Sequence, residues 1–255
     1  MSGPCPEHPA SRGRRRRLPL FSRQMIRARA GERMSDGGAV KITNKQFHEN
    51  EGVADWRVLF WGAHVFYRTS GFAEGARLVV AIAEAAAELG HEPDVDIRPE
   101  GVTVRSRTLP DGELSTADVA LAQRVSAAAH ELGLEPDPTA LTVVGIAVAE
   151  DDHVDTRPFW RAALGYVDLG EEDAVDPLRR NPHTWFHKLR PSKPGRGRTH
   201  IDVSVPADQV EARVAACVAA GGRIVNDHVA PNSYTIASPD NHGIDIAGWA
   251  DHYEN

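Results

Sequence analysis

The 255-residue sequence predicts an α+β chain of two domains, an antiparallel sheet with two long helices followed by paired βαβββ modules. Three observations predict it. Apolar residues switch repeatedly between the two-residue period of strands and the roughly 3.6-residue period of helices. Glu135-Pro136-Asp137-Pro138 interrupts the pattern near mid-chain, and two prolines so close cannot continue a helix. Beyond them the order strand, helix, strands occurs twice, each helix stopping at a glycine. The expected domains are 35–139 and 140–255, preceded by an extension, 1–34.

That extension carries Arg12, Arg14, Arg15, Arg16 and Arg17 among Pro, Ser and Gly and has no periodic apolar face. It reads as a disordered arm, or as an over-long start with Met25 or Met34 as the first residue. The run before Met25 lacks the apolar core of a secretory signal.

In the first domain, Trp56, Val58 and Phe60 alternate in one strand and Ala63, Val65 and Tyr67 in the next, with Gly62 at the turn. From Gly71 to Gly90 the period is helical, with Phe72, Ala76, Val79, Ala83 and Ala86 as the apolar stripe. A loop, His91-Glu92-Pro93, follows. Val102 and Val104 mark a further strand, Pro110-Asp111-Gly112 a turn, and Ser115 the cap of a last helix through Val119, Leu121, Ala122, Val125, Ala129 and Leu132 to Gly133. His91 is the chemical clue, because loop side chains face clefts or solvent and imidazole suits proton transfer near neutral pH.

In the second domain the first module reads as strand 141–149, helix 155–164, strand 166–169 and strand 184–189. The second reads as strand 200–205, helix 207–220 and strands 223–229, 233–237 and 243–247. Two such modules side by side close a curved sheet around a pocket. His183, His228 and His242 read as solvated loop residues, and Lys188 to Arg198, with Lys193, Arg196 and Arg198, as a solvated connection.

Composition narrows the function. A formal net charge of -7 gives no basic footprint for nucleic acid. No run of about 18 apolar residues suggests a membrane span. Cys5 and Cys217 form no disulfide framework, so a reducing cytoplasm is the expected compartment.

Trp56 to Arg68, the helix from Phe72 to Leu89, His91-Glu92-Pro93-Asp94, Val102-Thr103-Val104 and Leu114-Ser115 together resemble the pterin-4a-carbinolamine dehydratase family. The resemblance implies loss of water from the 4a carbon of a pterin, with no cofactor for that step, and a homo-oligomer. It implies catalytic roles for His91, for Glu92 where the family typically has a second histidine, and for Thr103 where many members have a third. Pro93 and Asp94 would bind substrate. The chemistry needs an acid for the departing oxygen and a base for the adjacent ring N–H.

Thr199-His200-Ile201-Asp202-Val203 with Gly197 and Arg198 before it, Ser238 to Asp245, and Phe159 to Tyr166 resemble the glyoxalase and extradiol dioxygenase superfamily, the vicinal oxygen chelate fold. Metal ligands there lie on the first, fourth, fifth and eighth strands. The resemblance maps these to Gly145, which offers no ligand, and to His187, His200 and Asp245, implying a divalent metal and a second small-molecule ligand. Three readings follow: a dehydratase at His91, a metal-dependent lyase, isomerase or dioxygenase in the second domain, or a non-catalytic binding protein on a degenerate scaffold.

Overall fold

The computed structural model describes residues 39–108, 113–150, 153, 155–188, 199–239 and 242–249. The Arg-rich extension, the Pro110-Asp111-Gly112 turn and the connection through Lys193, Arg196 and Arg198 lie outside them.

The chain begins with a short strand β1 (Lys41–Ile42) and a helix α1 (Asn44–His48), whose N-terminus is closed by a reciprocal capping box between Thr43 and Gln46. There follow β2 (Arg57–Leu59), β3 (Gly62–Arg68), α2 (Phe72–Leu89), β4 (Asp94–Arg98), β5 (Gly101–Ser106), β6 (Leu114–Ser115) and α3 (Thr116–Glu131). Strands β2-β3-β5-β4 form an antiparallel sheet in that order, and β1 pairs with β6. The alternation read at Val102 and Val104 puts both, with Val65 and Tyr67, in a core against the helices.

Trp56 and Tyr67 are the largest side chains in this core, both at 0% exposure. Their polar ends need partners there, and Ser126 on α3 supplies one: Trp56 Nε1 and Tyr67 Oη each donate to its Oγ at 3.1 Å. The stripe of α2 is not the expected one. Gly75, Leu78, Ile82, Ala85 and Ala86 face the sheet, whereas Phe72 and Ala83 are exposed. Gly75 sits where a Cβ would lie 3.0 Å from Val102 Cγ2, so the helix rests close on the sheet through a residue that apolar periodicity does not count. Strand β4 was also unexpected. Its outer face carries Asp94, Asp96 and Arg98, so no hydrophobic alternation announces it.

After a 3₁₀ turn at Pro138–Ala140 come β7 (Val143–Glu150), α4 (Arg157–Leu164), β8 (Val167–Leu169), β9 (Asp173–Val175) and β10 (His183–Lys188). The second module repeats this order as β11 (Thr199–Ser204), α5 (Val210–Ala219), β12 (Arg223–Val229), β13 (Ser233–Ala237) and β14 (Gly243–Ala247), with a 3₁₀ turn at Ala207–Gln209 before α5. All eight strands join one sheet, ordered β12-β13-β14-β11-β7-β10-β9-β8, in which β7–β10 and β11–β14 are parallel and the remaining pairs antiparallel. This is the paired βαβββ arrangement. Strand β9 completes the first module; three residues, one of them an aspartate, leave too little pattern to read.

Pro136 forms a bridge with Tyr67, and the backbone N–H groups of Arg68 and Asp137 donate to Glu135 and Phe66. The proline-rich connection therefore extends the edge of β3 beyond the end of β2 rather than running free. No helix of the described residues is long and apolar enough to cross a membrane.

The turn between β2 and β3 reaches the second domain. Trp61 is held there at φ 73, a left-handed conformation costly for a bulky residue. Gly62 follows at φ 121, where a Cβ would meet Ser106 O at 2.3 Å. Phe60, at this turn, stacks on His183 of β10 with ring centroids 3.9 Å apart and donates its backbone N–H to Ser204 Oγ at 3.0 Å. Arg57 pairs with Asp208, and Asn44 Nδ2 donates to Trp249 O at 3.1 Å.

Candidate functional site

The first constellation starts at the end of α2. Gly90 adopts a left-handed φ of 63, which lets the His91 N–H turn back to Ala86 O and points the imidazole toward α3. Its Nε2 lies 2.8 Å from Asp118 Oδ1 and 3.2 Å from Ser106 Oγ. Asp118 is the third residue of α3, so the motif that caps this helix also delivers a carboxylate to His91. Its second oxygen accepts from Ser115 N and Thr108 Oγ1, each at 2.8 Å. Burial alone would raise the Asp118 pKa. Hydrogen bonds from His91, Ser106 and Thr108 outweigh that and hold it below the usual carboxylate range.

A carboxylate beside Nε2 fixes the proton there, leaving Nδ1 with its lone pair. His91 has 14% of its side chain exposed, enough for an approaching group to reach it. The arrangement is an oriented base.

The other residues expected beside it are placed differently. Glu92 is exposed on the same loop, and Pro93 is half-buried. Thr103 does not join His91. Along β5 the side chains of Val102, Val104 and Ser106 face the helices, so Thr103 and Arg105 face the other side of the sheet. Asp94 faces that side too and belongs to an ion cluster. Arg105 Nη2 donates to it at 2.7 Å and Arg179 Nε, from the second domain, at 2.9 Å, with Arg107 Nε at 3.8 Å. Burial works against the Asp94 charge, yet Arg179 and Arg105 hold its pKa down to about 2. Asp94 is thus a tie between the two domains.

Arg107 and His64 carry no sequence signal of their own. Arg107 is 7% exposed, lies 5.9 Å from the Trp61 ring, and is pushed down to about 10 by burial and by Arg179 and Arg105. His64 stands opposite Arg105 in the sheet and is driven to about 3, mainly by burial, so it is neutral.

The second constellation lies on the face of the eight-stranded sheet that lines a cavity. Register places Asp202 beside Asp245 and Gly145, and His200 beside Ala147. His200 Nε2 is 3.2 Å from Asp245 Oδ2 and 3.3 Å from Asp202 Oδ1. Hydrogen bonds donated by His200 to these two carboxylates, against the cost of burial, raise its pKa to about 9. Asp202 also accepts a hydrogen bond from Trp185 Nε1. The sequence reading passed over Asp202 as a ligand, although His200-Ile201-Asp202 on a strand puts both side chains on one face.

His187 stands apart from this group. Its ring is 5.7 Å from that of His200, it stacks on Trp185 at 4.5 Å, and its buried Nε2 has no hydrogen-bond partner among the described residues. One imidazole and two carboxylates whose ligand atoms lie within 4.8 Å of one another suit a divalent cation, and the unpartnered His187 nitrogen stands nearby.

Gly145 has a local reason to lack a side chain. A Cβ there would lie 2.3 Å from His183 Cε1, so the ring that stacks on Phe60 fills the place of a first-strand ligand. His183, expected in a solvated loop, is a buried strand residue at 8% exposure, and burial lowers its pKa to about 4. A cavity of about 350 Å³ opens beside it, walled by Phe60, Asp173, Trp185, Asp202, Asp245 and Trp249 among others.

An oriented histidine lies on one α+β domain and a walled cavity on a second, and an aromatic seam joins the two domains. Residues 41–128 match the family model described as pterin 4 alpha carbinolamine dehydratase, and residues 145–247 match that described as a glyoxalase-like domain. The chain is a fusion of these two domains. No curated protein matches it.

Proposed function

We propose that the N-terminal domain dehydrates a pterin 4a-carbinolamine at His91. The observation that carries the reading is the contact from His91 Nε2 to the buried Asp118 carboxylate, 2.8 Å, within a domain matched to the dehydratase family. In the reaction the C4a–O bond breaks, the oxygen leaves as water after gaining a proton, and N5 loses its proton as the C4a–N5 double bond forms. His91 Nδ1 takes the N5 proton while Asp118 stabilises the imidazolium. Glu92, exposed one residue on, is the partner of His91 at the departing oxygen, which takes its proton from solvent.

The test is the rate of dehydration of a 4a-hydroxytetrahydropterin. The parent should exceed buffer, and His91→Ala should lower the rate by roughly 10²–10⁴-fold. A parent no faster than buffer, or a His91→Ala rate equal to the parent, overturns the reading.

A second reading concerns the C-terminal domain, where His200, Asp202 and Asp245 would hold a divalent cation. A bound cation would supply Lewis-acid polarisation of a substrate oxygen. The convergence of three ligand atoms within 4.8 Å favours it. Elemental analysis of protein purified without chelators should find about one divalent ion per chain, lost in Asp202→Asn together with Asp245→Asn. A metal-free parent that also takes up no zinc or manganese on dialysis removes it.

A further inference from the structure

Asp173 on β9 is a carboxylate for which neither catalysis at His91 nor the His200 cluster has a use. Register sets it beside Trp185, and it lines the cavity of about 350 Å³. It makes no hydrogen bond or ion pair with any described residue, and burial, with Glu172 beside it, raises its pKa to about 6. A half-buried carboxylate without donors is costly unless a ligand brings them.

The rest of the wall says what kind of ligand. Asp202, Asp245 and Glu172 also line the cavity, no lysine or arginine does so among the described residues, and His183 is neutral. An anionic ligand is therefore repelled. The apolar walls are flat rings: Phe60 and Trp249 at the seam and Trp185 on the floor. Two of these rings are fixed before any ligand arrives. Phe60 is held by its stack on His183 and its N–H bond to Ser204, and Trp185 by its indole bond to Asp202. The volume lies in the range of small-molecule sites, roughly 300–1,000 Å³.

We infer that this cavity binds a flat, nitrogen-rich heteroaromatic ring that presents two adjacent N–H donors, as the 2-amino-pyrimidinone edge of a pterin does. Asp173 accepts the donor pair side by side, in the manner of a carboxylate facing a guanidinium. Trp185 and Phe60 contact the ring faces. The N-terminal domain thus supplies one wall of the C-terminal site through Phe60. Binding here needs no turnover at His91, so this inference stands or falls apart from the dehydratase reading.

The experiment titrates the full chain with 6-hydroxymethylpterin, followed by calorimetry and by quenching of tryptophan fluorescence, in the parent and in Asp173→Asn, Phe60→Ala and His91→Ala. One binding event should weaken by about tenfold or more in both Asp173→Asn and Phe60→Ala. It should persist in His91→Ala, and the dehydration rate of the two cavity variants should equal that of the parent. 2-Naphthoate, flat and of similar size but anionic, should bind at least about tenfold more weakly. Pterin binding unchanged in both cavity variants, a single event lost only in His91→Ala, or naphthoate competing as well as the pterin each overturns the inference.

Discussion

Asp118→Asn tests the His91 site with little change in volume. The carboxylate has 0% exposure. One oxygen faces His91 Nε2 at 2.8 Å and Ser106 Oγ at 2.6 Å; the other faces Ser115 N and Thr108 Oγ1, both at 2.8 Å. An amide offers one oxygen and one NH₂. The backbone N–H of Ser115 can only donate, so the amide oxygen must take that side and the NH₂ must face His91 and Ser106. Ser106 can rotate its hydroxyl to accept. His91 must then present Nε2 as acceptor and carry its proton on Nδ1, the nitrogen that the proposed dehydration would use as base. Loss of charge-assisted bonds of this kind costs about 1.5–3 kcal/mol, or roughly 3–12 °C in Tm for a chain of this size. The dehydration rate should fall by roughly 10²-fold or more. Denaturant unfolding should show a lower midpoint at unchanged slope. Because the folded pKa of Asp118 is depressed, its stabilisation is present above the ordinary carboxylate range and lost as pH falls through the depressed value. That part of the acid limb should be missing in the variant. Unfolding within about 0.5 kcal/mol of the parent, with the parent's rate and acid limb, would refute the argument.

Gly145→Ala should destabilise by about 1–3 kcal/mol, the usual cost of overpacking, since the new Cβ would lie 2.3 Å from His183 Cε1; urea unfolding measures it. Asp94, held at about 2, contributes stability that is present above the usual aspartate pKa and lost as pH falls toward 2. Arg179→Ala should raise that pKa and move the loss to higher pH, read by carboxyl NMR titration. His200, raised to about 9, contributes stability fully present below about pH 6.5 and lost as pH rises through 9. In protein stripped of divalent ions, Asp202→Asn should lower that pKa and flatten the alkaline limb, read from imidazole NMR shifts.

Strands with one buried face were legible because alternation is a direct consequence of burial. Val102 and Val104 announced β5; the last three strands of the second module were read at their observed bounds, although β12 is exposed along its whole length and has no buried face. Helix ends were legible where a glycine takes a left-handed φ, as at Gly90 and Gly165. Strand β4 was not, because its outward face is charged: Asp96 pairs with Arg98 on the same strand, and Asp94 with Arg105 and Arg179, distant in sequence. The stripe of α2 was misplaced because Gly75 gives close approach rather than hydrophobicity. At the sites, His91 drew attention as a loop histidine and His200 and Asp245 through the superfamily resemblance, whereas Asp118 reads locally as a helix cap. Its second role depends on α2 ending opposite α3, which no spacing along the chain reports.

The seam explains why residues that look spare in either half are not. Trp61 keeps an unfavourable φ of 73, a strain of order 1–3 kcal/mol that persists only where the surroundings over-determine it. Those surroundings come from both domains: His183 lies 5.8 Å from the Trp61 ring, and the Arg107 guanidinium 5.9 Å away on the dehydratase side. The same turn sends Phe60 into the glyoxalase-like cavity, while Arg179 crosses the other way to Asp94, three residues beyond His91. Phe60 thus enters the other domain's cavity, while Arg179 meets Asp94 on the face of the sheet turned away from His91. Gly145 fits the same logic: the space of a first-strand side chain is given to His183, and His183 is the platform on which Phe60 rests. The departure from the metal-ligand pattern at Gly145 is therefore a condition for the aromatic seam.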